Sequence, residues 1–260
     1  MITNPEMVEL FRYISSQDKD QNISSYPGLL TCRYGYGRAR KTAIQGKSGH
    51  DFIGIHMKGD SCNFVVCNGI EQSHQEGLAA RYLGNTLLDW LDSTEDWSSK
   101  GFISYMEYIP VMVMKELHHP TNPLRIVEGE QQLDSSTMYI CGRIELPTVS
   151  QPTGRIWMGW QGDTRLRYWR NDLEVSQYFK GTMLKEDRWS MSEGPLGGQP
   201  HVYQSRLEYG MPMRLQLYTD GLHDLDPIHE RLPDEQIQIL FDAPHTGGLL
   251  EEAAFLEFEW

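Results

Sequence analysis

Hydrophobic positions fall mostly in short alternating runs broken by Gly, Asp, Asn and Pro, a pattern that predicts strands more often than helices. Residues 51–59 (DFIGIHMKG) and 62–69 (CNFVVCNG) flank Gly59-Asp60 and predict a β-hairpin with a tight turn. Leu29 to Tyr36 predicts an earlier strand. After Asn68-Gly69 the period lengthens. Leu78, Tyr82, Leu83, Leu87, Trp90 and Leu91 recur at helical spacing over about five turns, and Ser73 with Glu76 forms a capping-box pattern ahead of them. A second helix is predicted over 102–117, kinked or delayed by Pro110. A short helix is predicted over 5–15, with Pro5 suited to its first turn, and 16–27 reads as a loop. From Ser136 the strand pattern returns in TMYICGRI, GRIWMGWQG and TRLRYWR. Residues 185–210 read as a polar excursion containing Gly and Pro. MRLQLYTDG at 213–221 alternates as a strand and stops at Asp220-Gly221. PDEQIQILF at 233–241 predicts a short helix, and AAFLEFEW a last strand.

Strands in hairpins with helices clustered between them predict an antiparallel, layered α+β fold rather than a doubly wound parallel sheet. At 260 residues one domain is the default, and two small ones the alternative. Residues 171–210 are long enough to be an insertion or a flap. Apolar residues make up 39% of the chain, with 7 Trp and 13 Tyr, enough to build a core. The formal net charge of −13 repels phosphate backbones and anionic lipid, so neither nucleic acid nor membrane is an expected partner. The one basic cluster, Arg33, Arg38, Arg40 and Lys41, suits local charge balance or a phosphorylated ligand better than DNA. Cys32, Cys62, Cys67 and Cys141 form no CxxC pair and read as small buried hydrophobes, with Cys62 and Cys67 on opposite faces of one strand. No apolar segment follows a basic start and no run reaches bilayer length, so a cytoplasmic location without a leader is expected.

Three segments share one design: VVCNG at 65–69, GWQGDTR at 159–165 and LYTDG at 217–221. Each is an apolar strand ending in an acidic or amide residue beside glycine. A carboxylate at a strand end is held rigidly, and the glycine lets backbone or water approach. Several such groups converging make a hard-oxygen site for Mg²⁺ or Mn²⁺, and two such ions hold and activate a water for attack on a phosphoryl group. Singly each segment is a weak signal, because Asp-Gly after a strand is usually a turn. Elsewhere the bland readings lead. His118-His119 suits a helix C-terminus, His223 a surface role, and Trp157, Trp160 and Trp169 a sheet interior or a partner surface. No GxSxG elbow, Walker loop or GxGxxG is present.

Taken in order, these segments resemble the metal-dependent protein phosphatases of type 2C. The matching stretches are HDFIGI at 50–55, FVVCNG at 64–69, SHQEGLAARYLGNTLLDWL at 73–91, SSTMYICGRI at 135–144, WQGDTRLRYWR at 160–170, LQLYTDGLHDL at 215–225 and LEEAAFLEFEW at 250–260. GDTR and TDGLHDL carry the likeness furthest, and it spans about residues 40–260. The resemblance implies one domain over 1–260: a four-layer αββα sandwich, two antiparallel sheets flanked by helices, with 1–27 as an N-terminal extension. It also implies site roles. Asp220 matches a direct metal ligand. Asp163 matches the GDSR-type aspartate that helps hold a third metal in some members. Asp51 matches the aspartate that orients metal-bound water. Gly69 matches the glycine whose carbonyl joins the second metal.

Three positions depart from the family pattern. The aspartate that bridges two metals falls on Asn68. The last ligand, usually Asp, falls on Glu251, or on Glu252 in a register shifted by one. The phosphate-gripping arginine before the early aspartate falls near Gly46, with Lys47 the closest basic residue. Two divalent ions ~4 Å apart repel by roughly 16 kcal/mol at an effective dielectric of about 20. A bridging carboxylate offsets that repulsion, whereas a neutral amide offers one good oxygen donor and a nitrogen that binds no metal. The expected function is therefore a pseudophosphatase, or a weakened protein serine/threonine phosphatase, in signalling. It would bind a phosphoprotein or a protein kinase, with Mg²⁺ or Mn²⁺ held weakly. The alternative is an active Mg²⁺- or Mn²⁺-dependent serine/threonine phosphatase.

Overall fold

A computed structural model describes residues 10–70, 77–117, 135–243, 245 and 247–260. The chain opens with strands β1 (Leu10–Ile14), β2 (Gln21–Tyr26) and β3 (Thr31–Gly37), then the short helix α1 (Arg40–Ile44). The hairpin β4 (Phe52–Lys58) and β5 (Ser61–Gly69) leads into the helices α2 (Leu78–Ser93) and α3 (Ser99–Leu117). Strands β6 (Ser136–Glu145), β7 (Thr153–Gln161), β8 (Arg165–Arg170) and β9 (Leu173–Glu174) follow, then β10 (Arg188–Ser190), β11 (Gly194–Leu196), β12 (His201–Glu208) and β13 (Met213–Tyr218). A 3₁₀ turn over Asp220–Leu225, helix α4 (Asp234–Asp242) and strand β14 (Ala253–Glu259) close the chain.

All strand pairs are antiparallel and form two sheets. The first runs β1-β4-β5-β6, where β6 then pairs with β10, leading to β11, and with β7, leading to β12. The second runs β2-β3-β14-β13-β8-β9. The alternation along each strand stacks the layers. On β5, Cys62, Phe64 and Val66 face the second sheet, where they meet Leu215, Leu217, Leu256 and Phe258. Val65 and Cys67, at the intervening positions, pack against Leu83, Leu87 and Phe102 of the two long helices. Outside the second sheet, Phe255 and Tyr218 pack against Ile237 and Phe241 of α4 and Leu222 of the 3₁₀ turn. This is the expected four-layer αββα sandwich. All four cysteines are buried and unpaired, and Cys62 and Cys67 do lie on opposite faces. No described helix is long and apolar enough to cross a membrane.

The hairpin forms as the pattern requires, with Phe52 opposite Cys67 and Gly59 at φ +61° in the turn. Other expectations need correction. Residues 10–14 are a strand, not part of a helix, because Phe11 and Tyr13 alternate inward and stack on Tyr26 and Tyr34. The stretch expected as an N-terminal extension thus supplies an edge strand to each sheet. Helix α2 is capped by Gly77 at φ +80°; Ser73 and Glu76 lie outside the described residues, as do His118 and His119. Helix α3 starts at Ser99 and continues through Pro110. The 171–210 stretch is woven into both sheets: β9 pairs with β8, β10 with β6, and β12 along its whole length with β7.

Candidate metal and phosphoryl site

At one end of the sandwich the sheets splay and leave a cleft of about 380 Å³. Asp51 enters it just before β4, Asn68 and Gly69 from the end of β5, Asp163 from the β7–β8 turn, Asp220 from the end of β13, and Glu251 from just before β14. Sequence segments far apart along the chain therefore meet at one place, because antiparallel pairing brings the starts of β4 and β14 to the same edge as the ends of β5, β7 and β13.

Asp51 is buried and held from three sides. The Thr219 hydroxyl donates to its Oδ2 at 2.6 Å, the Gly69 N–H to its Oδ1 at 3.2 Å, and Gln17 Nε2 to its backbone carbonyl at 2.8 Å. Burial pushes its carboxyl well above the usual range, and the nearby charges of Asp220 and Glu252 add to that, while Thr219 and Gly69 oppose it. Thr219 is fixed in turn by β14, whose Ala254 N–H donates to its Oγ1 at 2.9 Å. Glycine is required at 69 by close approach: a Cβ there would stand 2.5 Å from the carbonyl oxygen of His50.

Asn68 Nδ2 donates to Asp220 Oδ1 at 3.1 Å, and the Asn68 carbonyl accepts the Thr137 hydroxyl at 2.8 Å. The opposite amide orientation would set two oxygens against each other. Asn68 thus turns a donor toward Asp220 rather than an oxygen. Asp163 stands at the cleft wall, with Arg165 Nη1 3.4 Å from its Oδ2. Glu252 is buried, accepting the Thr42 hydroxyl at 2.7 Å and lying 3.5 Å from His50 Nδ1, whereas Glu251 is exposed at the rim. Both glutamates line the cleft. His223 is exposed, with Nδ1 3.1 Å from the Asp220 carbonyl.

Two functional candidates were not legible in the sequence. Lys185 and Arg188 line the cleft from the segment around β10. They bring positive charge to the wall of an otherwise acidic cleft, and no motif spacing links them to the acidic residues. Of the basic residues near Gly46, Arg38 is paired with Asp20 at 3.0 Å, and Lys47 does not line the cleft.

Carboxylates in excess of cations, one raised in pKa by burial and further by its neighbours' charge, form a donor set suited to a hard divalent cation. Among the described residues, no three His, Cys, Asp or Glu side chains form a ready-made metal cluster. The donor chemistry fits Mg²⁺ or Mn²⁺ held by Asp220 with Asp163 or Glu251, and the Asn68 amide does not fit a bridge between two ions.

No protein-family model matches the sequence, and no curated protein matches it significantly. Solved structures do match. A serine/threonine phosphatase of S. agalactiae superposes with a TM-score of 0.53 at 14% identity, covering 95% of this chain and 99% of that one. The fold is that of a serine/threonine phosphatase. A bacterial serine phosphatase superposes at 0.54 with 13% identity, over 91% of this chain and 99% of that one. RsbX, solved in complex with magnesium, superposes at 0.55 with 9% identity, over 91% and 98%. At these identities the phosphatase likeness is one of fold, and the chemistry rests on this chain's own residues.

Proposed function

We propose that this phosphatase-fold domain is a pseudophosphatase, or at most a slow phosphatase, that binds a phosphoprotein or a protein kinase through the acidic cleft and its Lys185–Arg188 wall. The observation that supports this most is the 3.1 Å hydrogen bond from the Asn68 amide to Asp220. It satisfies Asp220 where a shared carboxylate would otherwise draw two cations together. In a single-ion site, Asp220 with Asp163 or Glu251 would hold the cation, and Lys185 and Arg188 would meet phosphoryl oxygens. The ion, when bound, would supply Lewis-acid polarisation of those oxygens and acidify a water. Asp51, held by Thr219 and the Gly69 N–H, would orient that water.

A second reading, an active Mg²⁺- or Mn²⁺-dependent serine/threonine phosphatase, is favoured by Asp51, Asp163, Asp220 and Glu251 sharing one cleft. Hydrolysis of p-nitrophenyl phosphate with Mn²⁺ separates the two. The weakened centre predicts little turnover by the native chain and at least ~100-fold more by Asn68→Asp, a barrier change of about 2.7 kcal/mol. Brisk native turnover that Asp220→Ala abolishes would establish the active enzyme instead.

A further inference from the structure

At the opposite end of the first sheet from the acidic cleft lies a larger groove of about 920 Å³. β5 runs from Asn68 and Gly69 at the cleft to Ser61 at the groove, so the two sites stand roughly 25 Å apart at the usual rise per strand residue. The groove floor is the helix-side face of the sheet beyond α2 and α3. Arg143, Arg155 and Arg206 line it, against Glu145 and Asp60. A cationic excess here stands out in a chain of net charge −13.

The arginines are pre-positioned. Trp97, in the α2–α3 connection, has the guanidinium carbons of Arg143 and Arg155 at 5.4 and 5.2 Å from its ring centre. Its own backbone carbonyl accepts the Trp157 indole N–H at 2.9 Å, which fixes it to β7. Arg143 also donates to the Leu91 carbonyl at 3.2 Å and to Glu145 at 2.8 Å, and Glu145 takes a second arginine, Arg155, at 2.9 Å. One carboxylate is therefore shared by two guanidinium groups. Arg206 sits directly opposite Arg155 in the β7–β12 ladder. Like charges in that relation destabilise a sheet, and Arg206 has no acidic partner of its own among the described residues. The strand that carries it, β12, pairs only with β7 among the described residues, so no described strand takes up the hydrogen-bonding groups of its outer edge.

We infer that this groove is a second binding site, taking an extended phosphoserine- or phosphothreonine-bearing peptide that adds to the β12 edge with its phosphate on Arg206, on the face that Arg206 shares with Arg155. A residue opposite Arg206 on an added strand would point to the same face as both arginines, because side chains alternate with a period of two. A phosphate dianion carries more charge than a carboxylate and a third acceptor oxygen, so it pairs with the Arg206 fork and still offers an oxygen toward Arg155. The site uses none of the acidic cleft's residues.

Fluorescence anisotropy tests this on the full chain in EDTA. The probe is a fluorescein-labelled pool of nine-residue peptides, phosphoserine fixed at the centre and the flanks randomised, beside pools with serine or glutamate there. The phosphoserine pool should bind at least tenfold tighter than either. Arg206→Ala, at an exposed position, should remove that preference, and Asp220→Ala in the distant cleft should leave it intact. Equal binding of the three pools, or a glutamate pool that binds as tightly as phosphoserine, would overturn the inference. So would a preference that survives Arg206→Ala but disappears in Asp220→Ala, which would place phosphate recognition in the cleft. Turnover by Asn68→Asp bears on the proposed function alone, so each reading can fail without the other.

Discussion

Asn68 and Asp220 face each other across the cleft as donor and acceptor, and the glycine after each is there for space. Gly221 shows how tightly the site is built. A Cβ at that position would lie 2.0 Å from the Glu252 carbonyl oxygen and 3.1 Å from that of Glu251. Those atoms are backbone and cannot rotate away, so the turn carrying Asp220 must move off the start of β14. Gly221→Ala should cost about 1–3 kcal/mol by overpacking. Urea unfolding should show a lower midpoint with an unchanged slope, and a midpoint equal to the native one would mean that the contact is slack. The Asp-Gly signal was legible in the sequence as a turn. That its glycine abuts the 251–252 backbone was not, because the two segments meet only in the fold. The choice between Glu251 and Glu252 was open for a related reason: spacing gave two registers, and the Thr42 and His50 contacts that engage Glu252 come from residues more than two hundred positions earlier.

At the scale of elements, the turn after Asp220 needs an anchor, and β8 with β9 provides it. Arg167, on the outer face of β8, donates to the carbonyl oxygens of Leu225, at 3.1 Å, and Ile228. Glu174 of β9 holds that guanidinium at 2.8 Å and also accepts the Ser176 hydroxyl at 2.7 Å. The Arg167 hydrogen bonds, followed by those of His229 and Ser176, push the Glu174 carboxyl down to about 2 against the opposing effect of burial. A carboxyl lowered in the folded state stabilises fully above its unfolded pKa, and that stability is lost as pH falls from about 4.5 to about 2. The shift would be worth about 3 kcal/mol if fully expressed, and about 1–2 kcal/mol once the partial exposure of the pair is counted. Glu174→Gln should therefore be less stable than the native chain at pH 7 by that amount, with the difference closing near pH 2. A difference independent of pH would show that the ion pair contributes nothing. The strands and the two long helices were readable because their faces alternate at periods of two or of 3.6 residues. β1 was misread because Leu10, Phe11 and Ile14 also fit helical spacing over so short a stretch, and pairing with β4 decides between the two. The weave of 171–210 was hidden because β9, β10 and β11 are only two or three residues long, β12 is largely polar, and all take their place from their neighbours.

For the whole molecule, function follows from what the two sheets bring to each end. One end gathers acidic strand termini, and the other gathers arginines around Trp97, in a chain whose net charge repels anions at long range. The order of the acidic segments was legible, since a shared strand-end design repeated three times. The basic walls were not, because Lys185, Arg188 and Arg206 follow no repeating pattern. The central claim is that the amide at 68 weakens cation binding at the acidic end. Isothermal titration of Mn²⁺ into the native chain and Asn68→Asp measures this most directly. The account predicts that Asn68→Asp binds Mn²⁺ at least ~100-fold more tightly, about 2.7 kcal/mol, or gains a second ion that the native chain does not hold. Two Mn²⁺ ions bound by the native chain as tightly as by Asn68→Asp would contradict it.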